Sequence, residues 1–258
     1  LMVEAERRSY ADRSEFLGDP DFVDVPLNIV LDSLYINKKM SSFDWNRATP
    51  SSEIKPGDSY YFESDETTHF SIVDDQGNAV AVTTTLNGGY GSKVFVEELG
   101  VFMNNEMDDF SSKPGVPNMF DLVGNEANAI EPNKRMLSSM TPTIVEKDDK
   151  LYLVVGSPGG STIITSVFQM ILNVYEHNLP IQDAVNAARF HHQWLPDFIT
   201  FEPNQFKPSL LKNLNELGYV GEEKKSRIIG KVDAILVDDS GQISLGADRR
   251  GDDTAVSY

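Results

Sequence analysis

The sequence contains no cysteine. That excludes disulfides, thiolate nucleophiles and cysteine-ligated metals, while leaving the redox compartment open. Histidine is scarce: His69, His177, His191 and His192 are the whole set. None has metal-ligand spacing, and the adjacent pair is expected to diverge on a helix. No apolar run approaches the roughly 20 residues of a membrane span. Basic residues are few, 22 Lys and Arg against 40 Asp and Glu, for a net charge of −18. That argues against a nucleic-acid partner, which would need a basic stripe. The glycine-rich "GSPGGST" (156–162) lacks the Gly-Lys-Ser/Thr of a phosphate loop, and no Gly-x-Ser-x-Gly elbow is present. Arg250–Gly251–Asp252 is a tripeptide that recurs by chance. No signal peptide is visible: Leu1 opens directly into "VEAERRSYADRSEFLGD", an amphipathic helical pattern, and the chain reads as a piece of something longer.

What is present is a chain of 258 residues, enough for one large domain or two small ones with a substantial core. Residues 1–40 read as two short helices separated by "LGDPDFVDVP". Residues 41–66, rich in Ser, Pro, Asp and Glu, read as a linker or extended surface segment. From Thr67 the texture changes. "THFSIVD", the turn "DQGN" and "AVAVTTTLN" form a hairpin signal, with His69 and Ser71 expected outward and Phe70 and Ile72 inward. "GVFMNNEMDDF" is a short strand leaving into a polar loop. Residues 111–133 hold three prolines, two glycines and four asparagines, a long surface loop. Two further hairpins are expected in "TPTIVEKDDKLYLVVGS" and "KVDAILVDDSGQISLGAD", and a strand over 198–201. Helices are expected in "GGSTIITSVFQMILNVYEHN" (Ile163, Ile164, Val167, Ile171 and Val174 on one face), in "IQDAVNAARF" and in "KPSLLKNLNELGY". Hairpins with helices segregated between them indicate antiparallel sheets covered by helices, an α+β class.

Why should a strand begin with two threonines directly after an acidic, flexible segment? A threonine hydroxyl is a poor nucleophile until a base takes its proton. Its own α-amino group, with a reference pKa of about 7.7–8.0, is such a base once the preceding peptide bond is broken. Glu66 followed by Thr67 is the layout that such a cut requires, although β propensity alone accounts for a Thr-Thr strand start. "NNEMDDF" adds Asn104, Asn105, Glu106, Asp108 and Asp109 at a strand end, where carboxylates can hold an ammonium group. "RMLSSMTPT" sets Ser138 and Ser139 between apolar residues, a carboxylate clamp or a helix cap. "GSPGGS" lets the backbone N–H groups of Gly159 and Gly160 converge on an oxyanion at a helix N-terminus, or simply makes a turn. Taken together these are the parts of a hydrolase for an amino-acid-like acyl group: nucleophile, ammonium site, carboxylate site and oxyanion hole.

"ETTHFSIVD", "GNAVAVTTTLN", "NNEMDDFSSKPGVPN", "PNKRMLSSMTPTIV", "GSPGGS" and "RFHHQWLPD" together resemble γ-glutamyltranspeptidase (glutathione hydrolase) in its bacterial form, from about Tyr10 to the last residue. The resemblance implies an N-terminal nucleophile hydrolase with an αββα sandwich, made as a precursor that cuts itself between Glu66 and Thr67. Residues 1–66 then match the C-terminal part of the large subunit, and 67–258 the small, catalytic subunit. It also implies residue roles: Thr67 the nucleophile, Thr85 its hydrogen-bond partner, Asn87, Glu106 and Asp109 the contacts to the γ-glutamyl α-amino group. Ser138 and Ser139 match the contacts to the α-carboxylate, Gly159 and Gly160 the oxyanion hole, and Pro114 to about Asn125 a lid loop. Implied partners are glutathione and other γ-glutamyl compounds, acceptor amino acids or peptides, and a large-subunit segment carrying an arginine for the substrate carboxylate. No cofactor or metal is implied, and the location implied is periplasmic or secreted. Two rivals stand beside this: a glutaryl-type cephalosporin acylase of the same fold, and an uncleaved chain acting as a binding or assembly module.

Overall fold

The computed structural model describes residues 1–54, 67–221 and 228–257. Glu66 and residues 55–65 of the expected linker lie outside them. Among the described residues the helices are α1 (Met2–Phe16), α2 (Leu27–Val30), α3 (Ser33–Met40), α4 (Thr162–Tyr175), α5 (Ile181–Asn186) and α6 (Pro208–Glu216). The strands are β1 (Thr67–Val73), β2 (Ala79–Thr85), β3 (Phe95–Val96), β4 (Val101–Phe102), β5 (Thr143–Lys147), β6 (Lys150–Gly156), β7 (Phe190–His191), β8 (Thr200–Phe201), β9 (Asp233–Val237) and β10 (Ile243–Gly246). Two compact units form. One takes Leu1–Glu63, Glu106–Ser138 and Phe190–Arg227; the other takes Ser64–Asn105, Ser139–Arg189 and Ile228–Tyr258.

The second unit is built on an antiparallel sheet in the order β10-β9-β6-β5. The expected "KDDK" turn is a two-residue connection in which Asp148 and Asp149 both take positive φ, 53° and 59°, the backbone a tight hairpin needs. The β1–β2 and β9–β10 turns share one device. Asp74 accepts from the N–H groups of Gln76 and Asn78, Asp238 from those of Ser240 and Gln242, and Gly77 and Gly241 supply the left-handed residue. Alternation along β6 divides its side chains between two faces. Leu153 and Val155 pack with Val167, Met170 and Val174 of α4 and with Ile181, Ala184 and Val185 of α5. Each such side chain contributes about 1.5–3 kcal/mol on full burial. The α4 face differs slightly from expectation: Met170 is buried, whereas Ile164 and Ile171 are half-buried.

The β1–β2 hairpin lies against the same sheet, in contact with β5, β6 and β9, with Thr67 opposite Thr85 and His69 opposite Thr83. Its inward face is the reverse of the sequence expectation. His69 is buried, while Phe70 and Ile72 are 44% and 49% exposed. The reason is local. Gly156 leaves the room that the imidazole fills, and the ring nitrogens bond to Thr83 Oγ1 (2.8 Å) and Ser71 Oγ (3.0 Å). Burial lowers the His69 pKa to about 4, so the ring is neutral at physiological pH. A methyl group at position 156 would overlap that ring. Gly156→Ala is therefore expected to destabilise the protein by about 1–3 kcal/mol, read as a lower urea midpoint at unchanged slope.

In the first unit α1 buries a charged face: Glu4, Arg7, Arg8, Tyr10, Ala11 and Ser14. Glu4 pairs with both arginines, and Arg7 reaches Asp197 at 2.9 Å. This face grips residues 49–54, correcting their reading as linker. Thr49 N donates to Glu4 (3.1 Å) and Ser51 N to Asp197 (2.7 Å). Trp194 Nε1 donates to the carbonyls of Ser51 (3.2 Å) and Ile54 (2.7 Å), and Ser51 Oγ donates to the Trp194 carbonyl (2.6 Å). Thr49, Ser51 and Ile54 are buried as a result. His191 and His192 are likewise not on a helix, since His191 ends β7 and His192 follows it outside any helix or strand. A separate apolar cluster joins Ala48, Ile199, Phe201 and Tyr219 to Leu211 and Leu214 of α6. The expected 1–40 pair of helices is three, and the expected loop 111–133 carries one short 3₁₀ turn at Glu126–Asn128.

Candidate active site

Register brings the first residue of β1 opposite the last of β2. Thr67 Oγ1 donates to Thr85 Oγ1 at 3.2 Å, and the same Thr85 oxygen accepts from Asn87 N at 2.9 Å. Asn87 is buried at a φ of 76°, a left-handed conformation that Asn tolerates better than most residues. The turn is secured by Asn105, whose side-chain oxygen accepts from Gly88 N (2.9 Å) while its carbonyl accepts from Asn87 Nδ2 (3.4 Å). Thr67, Thr85 and Asn87 are thus joined by their own hydrogen bonds. An oxygen acceptor at the Thr67 hydroxyl orients the lone pair available for attack.

Gly159 and Gly160 lie in the same unit, immediately before α4, with φ of 133° and 55°. Both values lie where side chains are rarely tolerated. A Cβ on Gly159 would also meet Thr162 Oγ1 and Gly230 Cα at 2.7 and 3.1 Å. The Gly159 carbonyl accepts from Thr162 N at 3.0 Å. The positive end of a fourteen-residue helix follows, a setting that favours negative charge.

Glu106 and Asp109 open and close a 3₁₀ turn in the other unit. Burial, with Glu106 and Asp108 nearby, pushes the Asp109 carboxyl up to about 7, against the opposing charge of Arg13. Burial also raises Glu106. Asp108 anchors the turn by accepting from Met119 N at 2.7 Å. Ser138 is exposed and Ser139 half-buried, and the division between the two units falls between them. In the stretch read as a lid, Phe120, Leu122 and Val123 are buried. Arg13 was not among the residues singled out from sequence. Its signal is spacing, three residues after Tyr10 and beside Ser14 on the buried side of α1. Among the described residues no group of three or more His, Cys, Asp and Glu could hold a metal ion, and no helix is long and apolar enough to cross a membrane.

A sequence model of the family described as gamma-glutamyltranspeptidase matches residues 1–258, the whole chain. The chain belongs to the γ-glutamyltranspeptidase family. The glutathione hydrolase proenzyme of Escherichia coli (strain K12) is 50% identical over 259 residues, covering 100% of this chain and 44% of that protein. The chain thus spans under half the length of this curated relative. A solved γ-glutamyltranspeptidase from Pseudomonas nitroreducens, the W525D variant, is 48% identical with a TM-score of 0.70, covering 74% of this chain and 98% of that one. Cephalosporin acylase from Bacillus halodurans is 21% identical with a TM-score of 0.81, covering 100% of this chain and 44% of that one, a likeness of fold alone. The α+β, N-terminal nucleophile hydrolase fold expected from the sequence is the fold of this γ-glutamyltranspeptidase-family chain.

Proposed function

We propose that the protein is a glutathione hydrolase and γ-glutamyltransferase that matures by cutting itself between Glu66 and Thr67. The observation that carries this is the Thr67–Thr85 hydroxyl pair at the open end of the β1–β2 hairpin, in a chain whose relatives include proenzymes. The share of this chain covered by the solved relative supports the cut site: residues 67–258 are 192 of 258, the same 74%. On this reading residues 1–66 close the large subunit and 67–258 are the small one. In maturation the Thr67 hydroxyl attacks the Glu66 carbonyl carbon. The Glu66–Thr67 carbon–nitrogen bond breaks as the hydroxyl proton passes to the Thr67 nitrogen, which becomes a free amine. Water then hydrolyses the resulting ester to the Glu66 carboxylate and the Thr67 hydroxyl. In catalysis that amine takes the Thr67 hydroxyl proton as Oγ1 attacks the γ-carbonyl carbon of glutathione or a related compound. The carbon–nitrogen bond breaks, the proton passes to the leaving amine, and a γ-glutamyl ester forms. Water or an acceptor amino acid or peptide then takes the acyl group.

Asn87, Glu106 and Asp109 are assigned to the substrate ammonium, Ser138 and Ser139 to its α-carboxylate, and the N–H groups of Gly159 and Gly160 to the oxyanion. No cofactor enters this chemistry. The location assigned is periplasmic or secreted. Intact mass of the full-length protein before and after maturation tests the cut. Turnover of a γ-glutamyl anilide beside a glutaryl anilide tests the substrate class, since an acylase of the same fold would favour the second.

The extra length of the relatives is assigned two tasks. It covers the outer face of the β1–β2 hairpin, where Phe70, Ile72 and Val80 are 44–49% exposed, completing the fourth layer of the αββα sandwich. It also supplies a cation for the α-carboxylate, which two serines meet only with neutral donors. Hydrogen bonds to charged groups contribute about 1.5–3 kcal/mol. Residues 1–258 alone are therefore expected to show a kcat/KM on the γ-glutamyl anilide roughly ten- to hundredfold below the full-length protein. Comparable values for the two would show that the pocket needs nothing further.

A further inference from the structure

Asn128 is buried, at 4% exposure, and its side chain spends its polar atoms on two particular neighbours. Nδ2 donates to the backbone carbonyl of Asp109 at 2.7 Å, and Oδ1 accepts from the backbone N–H of Leu137 at 3.0 Å. Its own carbonyl accepts from Ser111 N at 2.8 Å. One carboxamide therefore ties the residue assigned to the substrate ammonium to the residue immediately before Ser138, assigned to the substrate carboxylate. Both tied segments are held independently as well. Asp108 is anchored at Met119 N. Arg135 is anchored on Asp19 through its backbone N–H (2.8 Å), Nε (3.0 Å) and Nη2 (2.5 Å). Gly124, whose missing side chain makes way for Ser111, lets the 118–128 loop close over the same place, where Arg13, Asp109, Ser111 and Asn128 line a small cavity.

We infer that Asn128 is a positioning residue for amino-acid recognition, fixing the spacing between the ammonium partner Asp109 and the carboxylate partner Ser138. This rests on the γ-glutamyl reading given above. The two groups it would match sit on one carbon of the substrate, so their separation is invariant. A frame that holds both partners at that separation binds the two groups together, whereas a loosened frame binds one at a time. Displacements of about 1 Å at such sites cost up to 10²-fold. Asn is the residue type the task requires, because it offers a donor at one end and an acceptor at the other. Aspartate keeps the acceptor for Leu137 and sets a carboxylate oxygen against the Asp109 carbonyl.

The test uses the full-length protein and three anilides: γ-glutamyl, glutaryl (no ammonium) and 4-aminobutanoyl (no carboxylate). Asn128→Asp should raise KM for the γ-glutamyl anilide about tenfold, with the two single-anchor analogues moving less than twofold and self-cleavage still giving two chains. Asn128→Ser, whose shorter side chain falls short of the two neighbours that the carboxamide spans, should show the same pattern and keeps the test open should the aspartate variant misfold. Equal losses on all three substrates, an unchanged KM on the γ-glutamyl anilide, or failure of both variants to yield folded, cleaved protein would each overturn the proposal. A parallel Asp109→Ala protein separates this from the parent reading. An unchanged γ-glutamyl KM in that variant rejects the substrate assignment itself, whereas a raised KM there with an unchanged one in Asn128→Asp rejects only the positioning role.

Discussion

Thr67→Ala is expected to leave the full-length protein as one uncut chain with no measurable turnover of a γ-glutamyl anilide. The change removes the one hydroxyl assigned to attack in both reactions. Thr68 cannot stand in, because alternation places it on the outer face of β1, where it is exposed. Loss of an activated hydroxyl nucleophile costs on the order of 10⁴–10⁶ in kcat. The fold should be little affected, since Thr85 Oγ1 keeps its bond from Asn87 N. Thr67→Ser should retain cleavage and turnover. Intact mass and an anilide assay decide the matter, and a Thr67→Ala protein that still splits into two chains would remove Thr67 from the mechanism.

Asp109→Ala is the second large effect, and it falls on binding. Breaking one side of a desolvated charge pair costs about 3–5 kcal/mol, so KM for the γ-glutamyl anilide should rise by roughly two to three orders of magnitude. A glutaryl anilide, lacking the ammonium, should be nearly unaffected. Equal losses on both substrates would make Asp109 structural. The pH dependence carries the same signature. Because the Asp109 carboxyl is pushed up to about 7 by burial and by Glu106, it loses its charge as pH falls below about 7. The wild-type preference for γ-glutamyl over glutaryl anilide should therefore fall with pH there. The ratio isolates the ammonium partners Asp109 and Glu106, whose carboxyls are both raised by burial, since protonation of the Thr67 amine affects both substrates. Stability should move the other way. A carboxyl whose folded pKa lies above its unfolded value favours the folded state at low pH, and that contribution is lost as pH rises through about 7. Asp109→Ala should then be the more stable protein at pH 8, by roughly 1–2 kcal/mol after solvent screening.

The β hairpins were legible because their turns are written in residues that tolerate the left-handed backbone: Asp148–Asp149, and Gly77 and Gly241 three residues after Asp74 and Asp238. The Thr67–Thr85 pair was implied by the family resemblance alone, and the hairpin register sets the two residues opposite each other. What the sequence concealed was burial of polar groups. His69 reads as an outward residue until Gly156, 87 positions later in the chain, is seen to make room for its ring. The charged stripe of α1 reads as solvated until Glu4, Arg7 and Arg8 are seen paired with one another and with Asp197. Residues 49–54 carry the composition of a linker, and Glu4, Trp194 and Asp197, all far away in sequence, hold them in place. In each case one deciding partner, Gly156, Asp197 or Trp194, is distant, and local pattern carries no record of it.

The grip on residues 49–54 has an optical consequence. The chain has two tryptophans, and they sit in opposite surroundings: Trp45 is 71% exposed and Trp194 is 2% exposed. With Trp45 replaced by Phe, the emission comes from the one indole whose N–H bridges the carbonyls of Ser51 and Ile54. Its spectrum then reports whether that stretch is seated. If the chain is severed between 66 and 67, the bonds linking residues 4–54 to 192–197 lie clear of the break. The nick would leave this emission blue and steady, and only denaturant, parting the two pieces, would turn it red.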